Sequence, residues 1–392
     1  MRKSRMWKKD RRVVILLLFL LLLSGQRTLA ALPFKIQSES VVLMEATSGE
    51  ILVEKESNKT LPPASVTKMM VMLLVMEAVD NGEIKLTDKV VASPEACRMG
   101  GSQIWLEPGE EMTVEDLMKA VGIVSANDAS VALAEYIAGS HEEFVKLMNK
   151  RAQELGLKNT AYVNATGLAP DGGGPGNLTS AYDQALLARE LLKHPTVLKW
   201  TGTWIDSLRG GESFLRNTNN LVRFYDGCDG LKTGYTSEAG YCLAATAKRN
   251  GVRLIAVVMK APTSAVRNSE ITKLFNYGFS QYKALKVLKA GQVIGKTKVM
   301  KGLVNEVNLV VPEDLLVVLK REVQSTPEVL ARIPPKVRAP LAKGTPVGEV
   351  IVKIDGETKV TAPLVTEIAV EESGFFRFLW QITKNVLEGF FR

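Results

Sequence analysis

Histidine is scarce in this chain of 392 residues, which contains only His141 and His194. The two residues are far apart in the sequence, and no His-Glu-x-x-His segment occurs, so the usual zinc-peptidase site is excluded. A Gly-x-Ser-x-Gly segment, which carries the nucleophile of many Ser-His-Asp hydrolases, is also absent. Hydrolytic chemistry would therefore need other side chains, and no metal or other cofactor is expected.

An apolar run long enough to cross a bilayer is lacking near the start of the chain. Residues 13–23 are apolar, whereas a membrane-spanning helix needs about 20 such residues. Seven basic residues precede the run, and Thr28-Leu29-Ala30 offers small residues for cleavage. This arrangement predicts a secretory signal peptide over residues 1–30, and hence an exported protein.

Excess charge of one sign is lacking once this leader is set aside. Residues 1–30 hold eight of the 50 Lys and Arg residues and one of the 42 Asp and Glu residues, which leaves 42 basic against 41 acidic residues. A net charge of +1 gives no electrostatic reason to expect a nucleic-acid partner. The three cysteines, Cys97, Cys228 and Cys242, form no disulfide framework, because an odd number leaves at least one thiol unpaired.

A hydroxyl and an amine three residues apart stand at the start of a strongly apolar run. Two prolines precede them and residues 69–76 contain neither Gly nor Pro, so a helix is predicted to begin near Ala64. Ser65 and Lys68 then share one face of its first turn, where the amine can hydrogen-bond the hydroxyl. This is the arrangement of a nucleophile and its base, provided that burial lowers the lysine pKa from its ordinary value of about 10.4.

A second polar segment separates two apolar stretches that are predicted to be helices, residues 114–124 and 129–137. Asp128 is expected to cap the second helix, which places Ser125 and Asn127 in a short turn. Both side chains are then free to point into a cleft. Alone, the segment is equally typical of an ordinary helix linker.

A third segment, Lys232-Thr233-Gly234, precedes two β runs that are joined at Asn250-Gly251. Asn-Gly at the tip predicts a hairpin, so the third segment should lie on the neighbouring strand. An ammonium group and a hydroxyl there suit a carboxylate, and the glycine lets a substrate approach the backbone closely.

The first pair is not distinctive alone, because Ser280 and Lys283 repeat its spacing. The three segments in this order, however, resemble the penicillin-recognising serine acyl-enzymes. The flanking residues are similar to those of the low-molecular-weight D-alanyl-D-alanine carboxypeptidases over about residues 38–282: Pro63-Ala64-Ser65-Val66-Thr67-Lys68-Met69, Ser125-Ala126-Asn127-Asp128-Ala129, Asn164-x-Thr166-Gly167-Leu168 and Asp229-Gly230-Leu231-Lys232-Thr233-Gly234-Tyr235.

The resemblance implies an α+β fold with a domain like those of penicillin-binding proteins and β-lactamases, an antiparallel sheet with a helical cluster. It implies that Ser65 attacks the carbonyl between the two terminal D-alanines of a peptidoglycan stem peptide while Lys68 accepts its proton. The backbone N–H groups of Ser65 and Tyr235 would hold the oxyanion. Ser125 would pass a proton to the leaving amine, and Asn127 would order Lys68 and the substrate.

The resemblance also assigns the substrate-binding strand. Lys232 and Thr233 would bind the terminal carboxylate, with Gly234 beside them and Arg267 as a helper placed by approximate spacing. The chain departs from the family pattern at Ala126, where Gly is frequent, and at Asn177, where many relatives have His. Ala126 adds only a methyl group in a turn.

Two other functions compete with a carboxypeptidase. A class A-like β-lactamase needs a glutamate that activates water, normally in a Glu-x-x-Leu-Asn segment, and none lies between Asn127 and Lys232. Penicillin is therefore expected to acylate Ser65 and to leave slowly. The non-enzyme alternative is a catalytically weak module that binds cell-wall peptide or penicillin, and the presence of every motif side chain argues against it.

From about residue 285 the sequence changes to short β runs separated by turn residues. Strands are predicted at residues 292–294, 307–311, 315–319, 347–354 and 359–364. The predicted organisation is thus a catalytic domain over 31–284 followed by a small β-sandwich domain over 285–368.

The last residues, 369–392, predict an amphipathic helix. Its apolar side would be formed by Phe375, Phe376, Leu379, Ile382, Val386, Leu387 and Phe390. Aromatic residues opposite flanking cations are typical of helices that lie in a membrane interface. The expected location is therefore the outer face of the cytoplasmic membrane, next to the cell wall.

Overall fold

The computed structural model of the protein describes residues 34–170 and 173–373, and from Gln37 onward these form one compact unit. The helices in this part of the chain are α1 (Lys68–Asp80), α2 (Pro94–Cys97), α3 (Val114–Ile123), α4 (Asn127–Ala138), α5 (His141–Glu154), α6 (Ala181–Leu191), α7 (Val197–Thr201), α8 (Leu221–Phe224) and α9 (Ser264–Gln281).

The same part of the chain contains strands along its whole length. They are β1 (Ser40–Glu45), β2 (Ile51–Lys55), β3 (Lys89–Val91), β4 (Glu111–Thr113), β5 (Ile205–Leu208), β6 (Ser213–Arg216), β7 (Cys228–Thr236), β8 (Gly240–Arg249), β9 (Val252–Ala261), β10 (Tyr282–Leu288), β11 (Val293–Met300), β12 (Glu306–Val310), β13 (Leu315–Lys320), β14 (Glu328–Arg332), β15 (Lys336–Arg338), β16 (Pro346–Ile354) and β17 (Glu357–Thr366).

An antiparallel sheet of five strands organises the first part of the chain, in the order β2-β1-β9-β8-β7. The hairpin predicted at Asn250-Gly251 is confirmed as β8-β9, and β1 and β2 form a second antiparallel pair. Helices α6 and α9 pack against β1 and β9, and the middle residues of β8 and β9 are buried. Strand β7 pairs on one side with β8 and leaves its other edge toward the start of α1.

Helix α1 is mostly buried, which explains the unbroken apolar run from Met69 to Met76. Nine of its 13 residues are buried, and they include Lys68, whose exposed fraction is 0%. A lysine in this position is unusual, because charged side chains are rarely fully buried.

Asp128 does not cap a helix as the sequence predicted. Helix α4 begins at Asn127, and the Asp128 carboxylate instead accepts the backbone N–H groups of Ile104 (3.1 Å) and Leu106 (3.2 Å). These partners are more than twenty residues earlier in the chain, so no local pattern reveals them. The carboxylate thereby holds the loop before β4 against the start of α4.

Helix α6 begins at Ala181, where Ser180 caps it by accepting the N–H of Asp183 at 3.1 Å. Leu178 and Thr179, directly before the cap, form isolated bridges with two distant backbone segments.

The region rich in β-strands that was predicted after residue 285 is confirmed. Strands β12, β13, β16 and β17 match predicted strands within a few residues, and the short strand predicted at 292–294 is the longer β11. Six strands form one sheet in the order β14-β16-β17-β12-β11-β15, while β10 and β13 form a separate pair. The sequence analysis missed β10, β14 and β15. Strand β14 is exposed at every residue, so it has none of the buried alternation that a strand prediction relies on.

The two ends of the chain are described only in part. The predicted leader, residues 1–30, lies outside the described residues, as do residues 374–392 of the predicted amphipathic helix. Its first residues, 369–373, are extended rather than helical, because Val370 and Glu372 form bridges with Leu341 and Gly302. No helix within residues 34–170 and 173–373 is long and apolar enough to span a membrane.

Candidate active site

Ser65 and Lys68 meet at the beginning of α1. Lys68 Nζ donates hydrogen bonds to Ser65 Oγ and to the backbone oxygen of Thr166, each at 2.9 Å. Ser65 lies in a 3-10 turn, Ala64–Thr67, directly before the α-helix rather than within it. The turn still brings the two side chains together, as their spacing predicted.

The surroundings of Lys68 favour its neutral form. Burial lowers the pKa of the amine well below its ordinary value, and the charge of Lys232 lowers it further, while the charge of Asp128 opposes them. The effect of Asp128 is the smallest of the three, so the pKa stays depressed. The amine beside Ser65 Oγ is therefore suited to accept a proton.

The loop that supplies the Thr166 oxygen is built around Asn164. The Oδ1 atom of Asn164 accepts the N–H groups of Thr166 (3.1 Å) and Gly167 (2.7 Å). Gly167 has a φ of +80°, and a Cβ there would lie 1.9 Å from the backbone oxygen of Ala64. The loop thus packs directly on the turn that carries Ser65, and only glycine fits at this contact.

Asn177 joins this loop to the start of α1. Its Oδ1 atom accepts the N–H groups of Val163 (2.7 Å) and Asn164 (3.1 Å), and its Nδ2 atom donates to Thr67 Oγ1 at 3.0 Å. The sequence analysis noted Asn177 only as a departure from the family pattern. The structure gives it a supporting position behind the Ser65–Lys68 pair.

Ser125 and Asn127 lie in the turn between α3 and α4, as predicted. Ser125 has a φ of +68°, which is strained for a residue with a side chain, and its Oγ atom is buried with no hydrogen-bond partner among the described residues. Asn127 Nδ2 donates to the backbone oxygen of Gly100 at 2.6 Å, whereas its Oδ1 atom is buried and unpaired in the same part of the chain. Buried polar atoms without partners are rare and often mark functional sites.

The expected hydrogen bond between Asn127 and Lys68 is not formed. The hydrogen bonds of Lys68 in the described residues go to Ser65 and Thr166, so the loop built on Asn164 holds the amine. The bond to Lys68 was expected for Asn127 of the second segment from its residue type and from the family resemblance, neither of which reveals that the Thr166 oxygen takes this place.

Strand β7 brings the third segment to the same place. A Cβ on Gly234 would lie 2.6 Å from the backbone oxygen of Pro63 and 3.1 Å from the backbone nitrogen of Ser65. Glycine is thus required for the strand to approach the turn so closely. The structure therefore brings Ser65 and the Lys232-Thr233-Gly234 segment together.

Lys232 is a second buried cation at this edge of the sheet. Its Nζ atom donates to the backbone oxygen of Thr233 at 3.0 Å. Burial, followed by the charge of Arg267, lowers its pKa to about 7. Arg267 itself is buried in α9 and donates to Asn268 Oδ1 (3.0 Å) and to the backbone oxygen of Cys242 (3.5 Å). The guanidinium group thus acts on the site through its charge on Lys232.

Thr233 has a partner that the sequence analysis missed. Its Oγ1 atom donates to Oγ1 of Thr218, a residue of the segment between β6 and α8, at 2.7 Å. Thr218 is exposed, so the pair of hydroxyls reaches the surface next to Lys232. One residue after the glycine, Tyr235 is 56% exposed and stacks on Tyr241 with ring centroids 4.4 Å apart.

The second Ser-Lys pair of the sequence has no comparable geometry. Ser280 is exposed near the end of α9 and donates to the backbone oxygen of Tyr277, while Lys283 lies beyond the helix in β10. The three cysteines are all free. Of the two Ser-Lys pairs, Ser65–Lys68 alone has a buried lysine and lies beside a strand that carries a second buried lysine. This arrangement is typical of a hydrolase that uses Ser and Lys rather than Ser-His-Asp.

Comparison with known proteins agrees with this class. Residues 26–263 match the family model of D-alanyl-D-alanine carboxypeptidase, and residues 282–372 match that of the penicillin-binding protein 5 C-terminal domain. The chain is 46% identical over 347 residues to D-alanyl-D-alanine carboxypeptidase DacF of Bacillus subtilis, covering 88% of each chain. It is 35% identical over 353 residues to DacC of Escherichia coli, covering 88% of this chain and 87% of that one.

The solved structures that are similar to this chain are also penicillin-binding proteins. Penicillin-binding protein 5 from Haemophilus influenzae is 34% identical with a TM-score of 0.65, and the match covers 88% of this chain and 100% of that chain. Penicillin-binding protein D2 from Listeria monocytogenes, solved in its ampicillin-bound form, is 34% identical with a TM-score of 0.58, over 63% of this chain and 99% of that one.

The chain belongs to the D-alanyl-D-alanine carboxypeptidase family, as its motifs predicted. It is a serine-type D-Ala-D-Ala carboxypeptidase with an α+β domain of the penicillin-binding-protein type, followed by a β-rich C-terminal domain.

The position of Asn177 yields a prediction about stability. Replacing it in Asn177→Ala leaves two partly buried N–H groups and the buried Thr67 hydroxyl without their partner, so the free energy of unfolding should fall by about 2 to 3 kcal/mol. Chemical denaturation measures this change. The matched control is Asn58→Ala on the surface, which should change stability by less than about 0.5 kcal/mol. Equal stability of the two variants would show that Asn177 does not support the site.

Proposed function

We propose that Ser65 is the nucleophile that forms an acyl-enzyme with peptides ending in D-Ala-D-Ala, and that Lys68 is its base. The 2.9 Å hydrogen bond between Lys68 Nζ and Ser65 Oγ carries this proposal. Because burial and Lys232 lower the pKa of the amine, it can take the serine proton as the bond to the carbonyl carbon forms. The bond from the carbonyl carbon to the nitrogen of the terminal D-alanine then breaks, and D-alanine leaves as the free amine. Water hydrolyses the remaining ester and releases the shortened peptide.

The oxyanion of the tetrahedral intermediate is held, in this proposal, by the backbone N–H groups of Ser65 and Tyr235. The close approach of Gly234 to the Ser65 turn supports it, because a Cβ added at Gly234 would lie only 3.1 Å from the backbone nitrogen of Ser65. Fixed backbone donors stabilise developing negative charge without reorganising during the reaction.

Ser125 passes a proton to the leaving amine, and Asn127 orders the substrate. The support is that Ser125 Oγ and Asn127 Oδ1 are buried polar atoms whose hydrogen-bonding capacity is unused within the described residues. Asn127 Oδ1 can accept an N–H of the substrate backbone while its Nδ2 atom remains fixed on Gly100. The strained backbone of Ser125 is consistent with a position constrained by function rather than by folding.

Lys232 and Thr233 bind the terminal carboxylate of the substrate. A buried ammonium group and a hydroxyl on one strand provide charge and direction for this group, and Gly234 leaves room beside them. Arg267 contributes its charge from behind Lys232 rather than by contact with the substrate. A bound carboxylate would in turn favour the charged form of Lys232.

The physiological substrate that we propose is the stem peptide of peptidoglycan, and β-lactams should acylate the same serine. The ampicillin-bound form of the similar Listeria monocytogenes protein supports the second part. A class A-like β-lactamase remains the rival, and the absence of a Glu-x-x-Leu-Asn segment between Asn127 and Lys232 argues against it.

The two Ser-Lys pairs of the chain provide a matched test of the nucleophile. Ser65→Ala should abolish release of D-alanine from a peptide ending in D-Ala-D-Ala and should also abolish labelling by fluorescent penicillin. Ser280→Ala removes the exposed hydroxyl of the other pair and should leave both at the wild-type level. Both readouts can be taken on the same purified proteins.

Three outcomes would contradict the proposal. Labelling of a folded Ser65→Ala variant would mean that another residue is acylated. Penicillin labelling of the wild type without any release of D-alanine would favour a binding module. Rapid hydrolysis of penicillin by the wild type would favour a β-lactamase, since we expect the penicilloyl ester to persist.

We further propose that the catalytic domain spans residues 31–284 and that residues 285–368 form a β-sandwich that acts as a spacer. A separate hydrophobic core supports the division, because Leu309 and Val352 of the six-stranded sheet and Val317 of the β10-β13 pair share it. Strand β10 begins at Tyr282, which moves the expected boundary slightly toward the N-terminus. The spacer would lift Ser65 from a membrane that residues 374–392 contact at its outer face.

The membrane proposal rests on the sequence of the C-terminal segment and is tested by liposome flotation. Five large apolar side chains, buried at about 1.5 kcal/mol or more each, would supply over 7 kcal/mol before ordering costs, so the full-length protein should float with the vesicles. A variant that ends at Ser373 serves as the control and should stay in the aqueous fractions. Equal partitioning of the two proteins would reject the anchor.

A further inference from the structure

The loop whose backbone oxygen meets Lys68 has a further support on its outer side, a histidine. His141 is the first residue of α5, and its Nε2 atom accepts the backbone N–H of Ala165 at 3.0 Å. Ala165 is fully buried and directly precedes Thr166. The histidine thus satisfies a buried N–H one residue away from the oxygen that Lys68 binds.

This contact fixes the loop at the residue that matters for the lysine. The N–H of Thr166 turns inward to Asn164 Oδ1, whereas the N–H of Ala165 points outward to His141. The loop is therefore held from two sides, by one of its own side chains and by the start of a helix. Because the Lys68 amine donates a hydrogen to the Thr166 oxygen at 2.9 Å, the position of that oxygen sets the direction of the amine's lone pair.

The hydrogen bond to Ala165 requires an imidazole that is neutral at Nε2. An N–H donor needs a lone pair, and a doubly protonated ring has none, because both of its nitrogens carry hydrogens. The single hydrogen of the neutral ring then lies on Nδ1, which faces a carboxylate oxygen of Glu95 at 3.5 Å. Two neighbours, one at each nitrogen, thus select this tautomer.

Three glutamates face the ring. Glu95 comes from α2, Glu135 comes from α4, and Glu142 is the next residue of α5; the charge of His141 acts on the last two. The loop of residues 163–168 brings no titratable side chain. A proton added to the ring would gain stabilisation from these acids but would lose the Ala165 bond, so the proton and the loop compete for the same nitrogen.

We propose that His141 is a positioning residue for acyl transfer: when neutral it holds the loop so that Thr166 directs Lys68, and when protonated it releases the loop and slows acylation. This inference rests on the proposed function, because it takes Lys68 as the base of Ser65. Histidine is the side chain that changes charge between about pH 5 and pH 8, so acidification would slow the enzyme by this route in addition to any titration of Lys68.

The test measures the rate constant of acylation by a saturating β-lactam, with the full-length protein. His141→Gln supplies an uncharged acceptor at about the same reach as Nε2, so its rate constant should lie within about 2-fold of the wild type near pH 8. The ratio of the wild-type to the His141→Gln rate constant should fall about 5- to 10-fold between about pH 8 and pH 5, as for one hydrogen bond lost to a buried group. The requirement for a neutral Lys68 is common to both proteins and cancels in this ratio.

His141→Leu removes the acceptor at every pH. Its acylation rate constant should be about 10-fold lower than that of the wild type near pH 8, while the dissociation constant of the β-lactam before acylation stays unchanged. The matched control is His194→Leu. The Nδ1 atom of His194 also meets a carboxylate, that of Asp80 at 2.6 Å, but at the end of α1 opposite to Lys68. This control should keep the wild-type rate constant and its pH dependence.

Two results would overturn the inference. One is a ratio of the wild-type to the His141→Gln rate constant that is the same at both ends of the pH range, and the other is a folded His141→Leu variant that is acylated at the wild-type rate. Should His141→Leu fail to fold, the comparison with His141→Gln decides alone. Acylation of Ser65 in the wild type leaves the carboxypeptidase proposal intact in either case, whereas a wild type that is not acylated would overturn both.

Discussion

The burial of Lys68 beside a second buried lysine is the constraint on which the rest of the site depends. Its hydrogen bonds within the described residues go to two neutral oxygens, Ser65 Oγ and Thr166 O. An ammonium group in such a place is disfavoured by lost hydration and by the charge of Lys232, whereas a neutral amine is not. The fold thus stabilises the protonation state that a base needs, and Ser65 is the group that we propose gives up a proton to it.

Several supports keep this arrangement from relaxing. The charge of Asp128 favours a charged Lys68, but burial and Lys232 outweigh it, and backbone N–H groups of the loop before β4 hold its carboxylate in place. On the other side, Asn164 and Asn177 fix the loop whose backbone oxygen meets the lysine. A site held by fixed dipoles needs little reorganisation during reaction, which is where much of the catalytic advantage of enzymes arises.

The sequence predicts those parts of the site that depend on local spacing. Ser65 and Lys68 are three residues apart, so any helical turn brings them together, and the Asn250-Gly251 tip predicts the hairpin that flanks β7. Contacts between distant segments were not predictable in this way. The N–H groups bound by Asp128, the Thr166 oxygen and the Thr218 hydroxyl all come from segments whose approach is set by the tertiary fold. The extended start of residues 369–392 is a similar case, since bridges to remote residues override its helical pattern.

The most direct test is the pH dependence of acylation by a saturating β-lactam. A neutral Lys68 is required, so the acylation rate constant should rise with pH through the pKa of this amine and remain level above it. Because burial and Lys232 depress that pKa, the account predicts that the rate is already level well below the ordinary lysine pKa of about 10.4. A rate that climbs about tenfold per pH unit up to that value would contradict it, because Lys68 would then be an ordinary, charged lysine at neutral pH.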